Sequence, residues 1–170
     1  MKLKGFTLIE LLLAFGIISA IGTAILSILF ITLRVSRKSD VLIGLKQSGN
    51  TVMSQVIKQI RYAKSLDSPG DCRTPIVGDI TITSSLDNAQ TTFSCAPVNS
   101  VNTIASNGAS LVDVNAFAVT NCSFTCTQTT LNDPPTISLK FTLTKASNGF
   151  VETTGSVPFQ TSVTMRNFSQ

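Results

Sequence analysis

Four cysteines and one isolated glutamate are the residues of this 170-residue chain whose types and spacing could do chemistry: Cys72, Cys95, Cys122, Cys126 and Glu10. An even number of cysteines in a body outside the cytoplasm points to disulfides, and four of them allow three connectivities. The expected pairing is Cys72–Cys95, tying a loop to the hairpin that follows it, with Cys122–Cys126 closing a small loop. An all-cysteine zinc site is the competing chemistry, but the spacings contain no C-x2-C pair. Histidine is absent, which removes the commonest general base and any Ser-His-Asp or Cys-His arrangement. Asp67 and Asp71 bracket a turn, and Asp113 with Asn115 hints at calcium, although isolated loop acids are ordinarily solvated turn formers. No phosphate-cradling glycine motif is present either. The expectation is a protein that is not an enzyme and holds no metal or cofactor.

Glu10 stands near the start of a nearly pure apolar run from Thr7 to Leu33, which follows Lys2, Lys4, Gly5 and Phe6. A run above ~20 apolar residues is long enough to cross a bilayer as a helix. A carboxylate at the centre of such a helix costs ~2.5–3.5 kcal/mol, so Glu10 requires a partner or polar surroundings. A secretory signal peptide would share the basic start and apolar core, with Ile18-Ser19-Ala20 or Gly22-Thr23-Ala24 as cleavage sites. The run, however, continues past the usual ~7–15-residue core and would enclose Glu10. A plain anchor with Glu10 reaching back to the headgroups is the other reading. Lys2 and Lys4 on one side are balanced by Arg34, Arg37 and Lys38 on the other, so charge does not select an orientation.

Beyond the apolar run the helical period continues. Leu42, Leu45, Gly49, Val52, Val56, Ile60 and Ala63 recur at three- and four-residue steps, with Met53 and Ile57 widening the stripe. The spacing predicts a helix from about Phe6 to Leu66, loosened at Gly44 and Gly49 because glycine costs ~1 kcal/mol inside a helix. Asp67-Ser68-Pro69-Gly70 is expected to stop it. From Pro75 the period changes to two. Ile80–Thr83 and Thr91–Cys95 flank a turn at Leu86-Asp87-Asn88, and Asn107-Gly108 and Asn148-Gly149 mark further turns. Residues 116–119 and 123–124 read as extended. Ile137, Leu139, Phe141 and Leu143 alternate with polar residues, as do Phe159, Thr161, Val163 and Met165. The fold class is α+β: a long N-terminal helix packed on a mainly antiparallel sheet with one wet face.

Once the membrane segment is set aside there is room for one small domain. Residues 1–66 carry nine Lys/Arg against two acids (+7), and residues 67–170 carry four against seven (−3), so the overall +4 conceals a basic helix and a mildly acidic body. No basic patch with interleaved aromatics indicates nucleic-acid binding.

The segment Gly5-Phe6-Thr7-Leu8-Ile9-Glu10, with its basic leader and long apolar tail, resembles the processing site of type IV pilins and type II secretion pseudopilins. The resemblance covers about the first 25 residues. It implies cleavage by a prepilin peptidase between Gly5 and Phe6, N-methylation of Phe6, and a membrane-resident stage in contact with lipid. Assembly with other pilin or pseudopilin subunits at an inner-membrane platform would follow. Glu10 matches the family glutamate thought to meet the N-terminal ammonium of a neighbouring subunit. The implied organisation is a leader (1–5), a transmembrane and filament-core helix (6–34), an amphipathic helix (35–66) and an extracytoplasmic β-rich headgroup (67–170). The helix ending Ile57–Ala63 and the segment Phe159–Asn167 look like those of minor pilins and J-type pseudopilins. No cysteine follows Cys126, a departure from the long C-terminal disulfide loop of many major pilins. A major pilin is the nearest alternative, and a membrane-anchored adhesin or binding module that never polymerises is the alternative of another class.

Overall fold

The computed structural model describes residues 7–98, 100–130, 132–145 and 154–168. One helix, α1 (Leu8–Arg61, 54 residues), opens the chain and is about 80 Å long at 1.5 Å per residue. Among the described residues nine strands follow: β1 (Ala63–Ser68), β2 (Ile76–Val77), β3 (Ile80–Ser84), β4 (Gln90–Val98), β5 (Val101–Ser106), β6 (Ala109–Ser110), β7 (Ala118–Thr127), β8 (Thr136–Lys145) and β9 (Gly155–Thr164). They form two antiparallel sheets, β1-β3-β4-β5-β6 and β2-β7-β8-β9. The α+β class holds, with the single expected sheet divided in two.

Only the outer half of α1 is packed. Leu45, Gly49, Val52, Val56 and Ile60 are buried, and Val41, Leu42, Met53 and Ile57 flank them against the core. The stripe lies chiefly on β9 and, beside it, β8. Gly49 does not loosen the helix: a Cβ there would overlap the ring of Phe159, which β9 lays directly against the helix backbone. Gly155, at the start of β9, repeats the device, since a Cβ there would come within 2.8 Å of Leu45 Cδ1 and 3.1 Å of Val41 Cγ1. One glycine on each partner lets helix and strand approach closely. The Phe159 ring is in turn stacked on Phe141 of β8, with centroids 5.0 Å apart.

The helix ends earlier than its periodicity predicts. Residues 63–66 are strand, not helix: Ala63 pairs with Ser84 and Leu66 with Ile82 on β3. Register shifts in β1 between Ala63 and Ser65 and between Leu66 and Ser68 allow Ala63 and Leu66, three residues apart, both to be buried. A three-residue step is also the helical step, so the bulged strand reads as one more turn. Sheet pairing overrides the local pattern here. The Arg166 amide donates to the Arg61 carbonyl at 2.9 Å, satisfying an acceptor at the end of α1 with the chain that leaves β9.

Within the sheets the turn chemistry matches the residues. Asn107 (φ 50°) and Gly108 (φ 79°) both lie in the left-handed region, the requirement of a tight hairpin turn, and Asn88 (φ 53°) does the same between β3 and β4. The expected Asn148-Gly149 turn lies outside the described residues.

Replacing Gly49 by alanine should therefore destabilise the body by about 1–3 kcal/mol, because overpacking outweighs the ~1 kcal/mol gain in helix propensity. Gly16→Ala, where a Cβ has nothing within 4 Å, should leave denaturant unfolding of the body unchanged.

Candidate functional site

Among the described residues the core packs on none of residues 8–40 of α1, and apolar side chains emerge around the whole circumference. Leu11, Leu12 and Leu13 are consecutive, so they point in three directions, yet they are 50%, 62% and 63% exposed. A surface helix of a soluble domain keeps one apolar stripe and one wet face; a helix apolar all round belongs in lipid or among other helices. The segment has the length and composition to cross a membrane. Three of its hydroxyls are spent internally: Thr23 donates to the Ala20 carbonyl (2.9 Å), Ser27 to the Thr23 carbonyl (2.8 Å) and Thr32 to the Ile28 carbonyl (2.8 Å). These bonds leave no hydroxyl of the three requiring water. Glu10 is the charged side chain within residues 8–33.

Thr7 is the N-cap of α1 and Glu10 the third helical residue. The Glu10 amide donates to Thr7 Oγ1 at 3.4 Å, and Thr7 Oγ1 lies 3.5 Å from Glu10 Oε2 as donor. The side-chain contacts are long; the Thr-x-x-Glu spacing is that of a capping box, of which the structure shows the threonine's half, with the glutamate turned back to the threonine hydroxyl. It puts the carboxylate in the first turn, where the helix macrodipole favours negative charge. Thr7 was not singled out from the sequence, although Thr-x-x-Glu ahead of an apolar run is the recognisable signal. The predicted processing residues Gly5 and Phe6 lie outside the described residues.

The cysteines pair differently from the expectation. The disulfides are Cys72–Cys126 and Cys95–Cys122, with Cα atoms 5.4 and 5.7 Å apart, replacing the expected Cys72–Cys95 and Cys122–Cys126. The physical reason is β7, which lies between the two regions being tied. Cys122 and Cys126 share this strand, so the small loop between them is extended rather than closed. Asn121 (φ 51°) marks a bulge between Thr120 and Ser123. This shifts the alternation, burying Val119 before the bulge and Phe124 and Cys126 after it. Cys122 thereby joins β4 of the other sheet through Cys95, beside the Phe93–Phe124 stack (6.2 Å), while Cys126 holds the loop after β1 through Cys72. Cys72 and Cys126 are fully buried, whereas Cys95 is exposed and Cys122 half-buried.

The acids serve local structure. Asp67 accepts from Ser65 (3.0 Å), Thr83 (2.6 Å) and Gln90 (3.3 Å), joining β1, β3 and β4. Asp113 accepts from the Asn115 amide (3.0 Å) and caps a turn. Asp71 is held below the usual carboxylate range by hydrogen bonds from the side chain and amide of Arg73, next to Cys72. Among the described residues no group of three or more potential metal ligands comes together. A half-open cavity of about 730 Å³ separates the last turns of α1 (Gln55, Lys58, Tyr62) from the β3–β4 hairpin (Ile82, Leu86, Asp87). Its carboxylate, Asp87, is already engaged by Ser84 and the Ala89 amide.

Compared with known protein families, with curated proteins and with solved structures, the chain has no match.

Non-reducing peptide mapping checks the disulfide frame, since cleavage after Phe124 separates Cys122 from Cys126. The Cys72 peptide should be linked to the Cys126 peptide and the Cys95 peptide to the Cys122 peptide. In mild dithiothreitol Cys95–Cys122 should open first, because Cys95 is exposed and Cys122 half-buried whereas Cys72 and Cys126 are both buried.

Proposed function

We propose that this protein is a structural subunit of a type IV pilus or type II secretion pseudopilus, and a minor subunit rather than the major one. The single observation that carries the reading is the two-part helix: one continuous α1 whose outer half is packed into a β-rich body and whose inner half is apolar on every side with one carboxylate in its first turn. Such a segment is stable in lipid before assembly and among like helices after it. The same chain can therefore exist as a membrane-resident precursor and as part of a helical bundle.

In this reading the chain is cut between Gly5 and Phe6, Phe6 is N-methylated, and Glu10 pairs with a cation of a neighbouring subunit. A buried carboxylate partnered by a cation is tolerable, and one left alone is not. Glu10 thus favours axial positions of the helix that meet such a partner. The body contributes surface; the absence of histidine from the chain and the local roles of its loop acids favour assembly over catalysis. The competing reading is an anchored adhesion module that does not polymerise, which would use the same helix only to hold the body at a membrane.

The intact mass of the native protein tests the processing step. The expected species begins at Phe6 and carries one methyl group; an intact Met1 or a start at Ala20 would refute the assignment. Substituting Glu10 by alanine separates the two readings, with filament incorporation lost and membrane insertion retained in the subunit reading. An anchor that does not polymerise would be indifferent to the change.

A further inference from the structure

The apolar part of α1, with Glu10 near its start, is longer than a bilayer requires and ends at a cluster of basic residues. Leu8–Leu33 spans about 39 Å at 1.5 Å per residue, whereas the hydrocarbon core is about 30 Å thick and takes ~20 residues. Apolarity alone leaves the depth of the helix free to vary by about 9 Å, and something else must set it. Arg34, Arg37 and Lys38 follow directly on Leu33; all three are exposed, and their three- and four-residue spacing gathers them within roughly 100° of the helix circumference. Asp40 lies one turn on from Arg37, leaving the short segment net positive. The body begins at Val41, the first residue of α1 packed against the core. Among the described residues the core does not pack on residues 34–40, which span about 10 Å between the apolar run and the body, enough to pass through a headgroup layer of ~5–8 Å.

We propose that Arg34, Arg37 and Lys38 form a collar that binds the phosphate groups of anionic phospholipids on the body side of the membrane, and that this contact sets the depth of α1. The proposal rests on the membrane-resident stage of the reading above. With the collar at the headgroups, the ~20 residues of the core are Ala14 to Leu33. Glu10 then lies about 6 Å beyond the opposite edge of the hydrocarbon, within the other headgroup layer. Its carboxylate is hydrated in the precursor and meets an apolar environment only on leaving the membrane. The cost of a carboxylate at the membrane centre is thereby avoided. Basic side chains beside an apolar span are drawn to anionic lipid, and salt screens the attraction.

The chain contains no tryptophan, so one introduced residue is a unique reporter. The full chain carrying Val35→Trp is reconstituted in phosphatidylcholine vesicles with a trace of acyl-dansylated phosphatidylglycerol or, in parallel, acyl-dansylated phosphatidylcholine. Energy transfer to the anionic lipid should be about threefold stronger, should fall with added salt, and should drop to the phosphatidylcholine level when R34Q, R37Q and K38Q are added together. Equal transfer to both lipids, or a preference that survives the triple substitution, overturns the collar. In a second chain, Phe15→Trp should be quenched best by lipids brominated near the glycerol end of the acyl chain; strongest quenching by deep bromines overturns the register. A chain that inserts without lipid preference removes only this proposal, whereas one that does not float with the vesicles removes the membrane-resident stage itself.

Discussion

The body of this protein depends on the close contact between the outer half of α1 and β9. A helix about 80 Å long with an apolar stripe along its second half cannot exist alone in water, and the stripe is buried where Phe159 meets the backbone of Gly49. Because β9 follows the other described strands in the chain, that contact joins segments about 110 residues apart in sequence. The hydrogen bond from Arg166 to Arg61 closes the same circuit at the end of the helix. The first and last elements thus hold each other, and the rest of the body is built between them.

The strand β7 performs the complementary task between the sheets. It pairs with β2 and β8 in one sheet, stacks Phe124 on Phe93 of the other, and carries one cysteine of each disulfide. Its bulge at Asn121 makes this possible, because an unbroken alternation would not bury both Val119 and Phe124. A body of this size buries a limited core, and two cross-links to one central strand constrain the unfolded chain across separations of 54 and 27 residues.

The inner half of α1 obeys a different rule. Thr23, Ser27 and Thr32 turn their hydroxyls onto the helix backbone, and the carboxylate is placed in the first turn beside the N-cap threonine. Each choice lowers the cost of an apolar environment. The segment is consequently suited to lipid or to a bundle of like helices, while the body beyond Val41 has a core of its own. This division between a segment that changes surroundings and a domain that does not is the physical core of the proposed assembly role.

Much of the architecture was legible in residue order. The helical stripe from Leu42 to Ile60, the period-two strands around Ile80, Phe93, Leu139 and Val163, and the turn at Asn107-Gly108 all record local preferences and faces to be buried, which periodicity encodes directly. Glu10 in its apolar run was equally plain, although Thr7 beside it was passed over. Tertiary structure alone decided the rest. Ala63 and Leu66 fit a helix or a bulged strand equally well by spacing, and only pairing with β3 made them strand. By local sequence Gly49 is a weak point of the helix, because its partner, Phe159, lies 110 positions away. The cysteine pairing escaped the sequence for the same reason: spacing measures distance along the chain, whereas a disulfide requires nearness in space, and β7 brought Cys126 to Cys72 and Cys122 to Cys95.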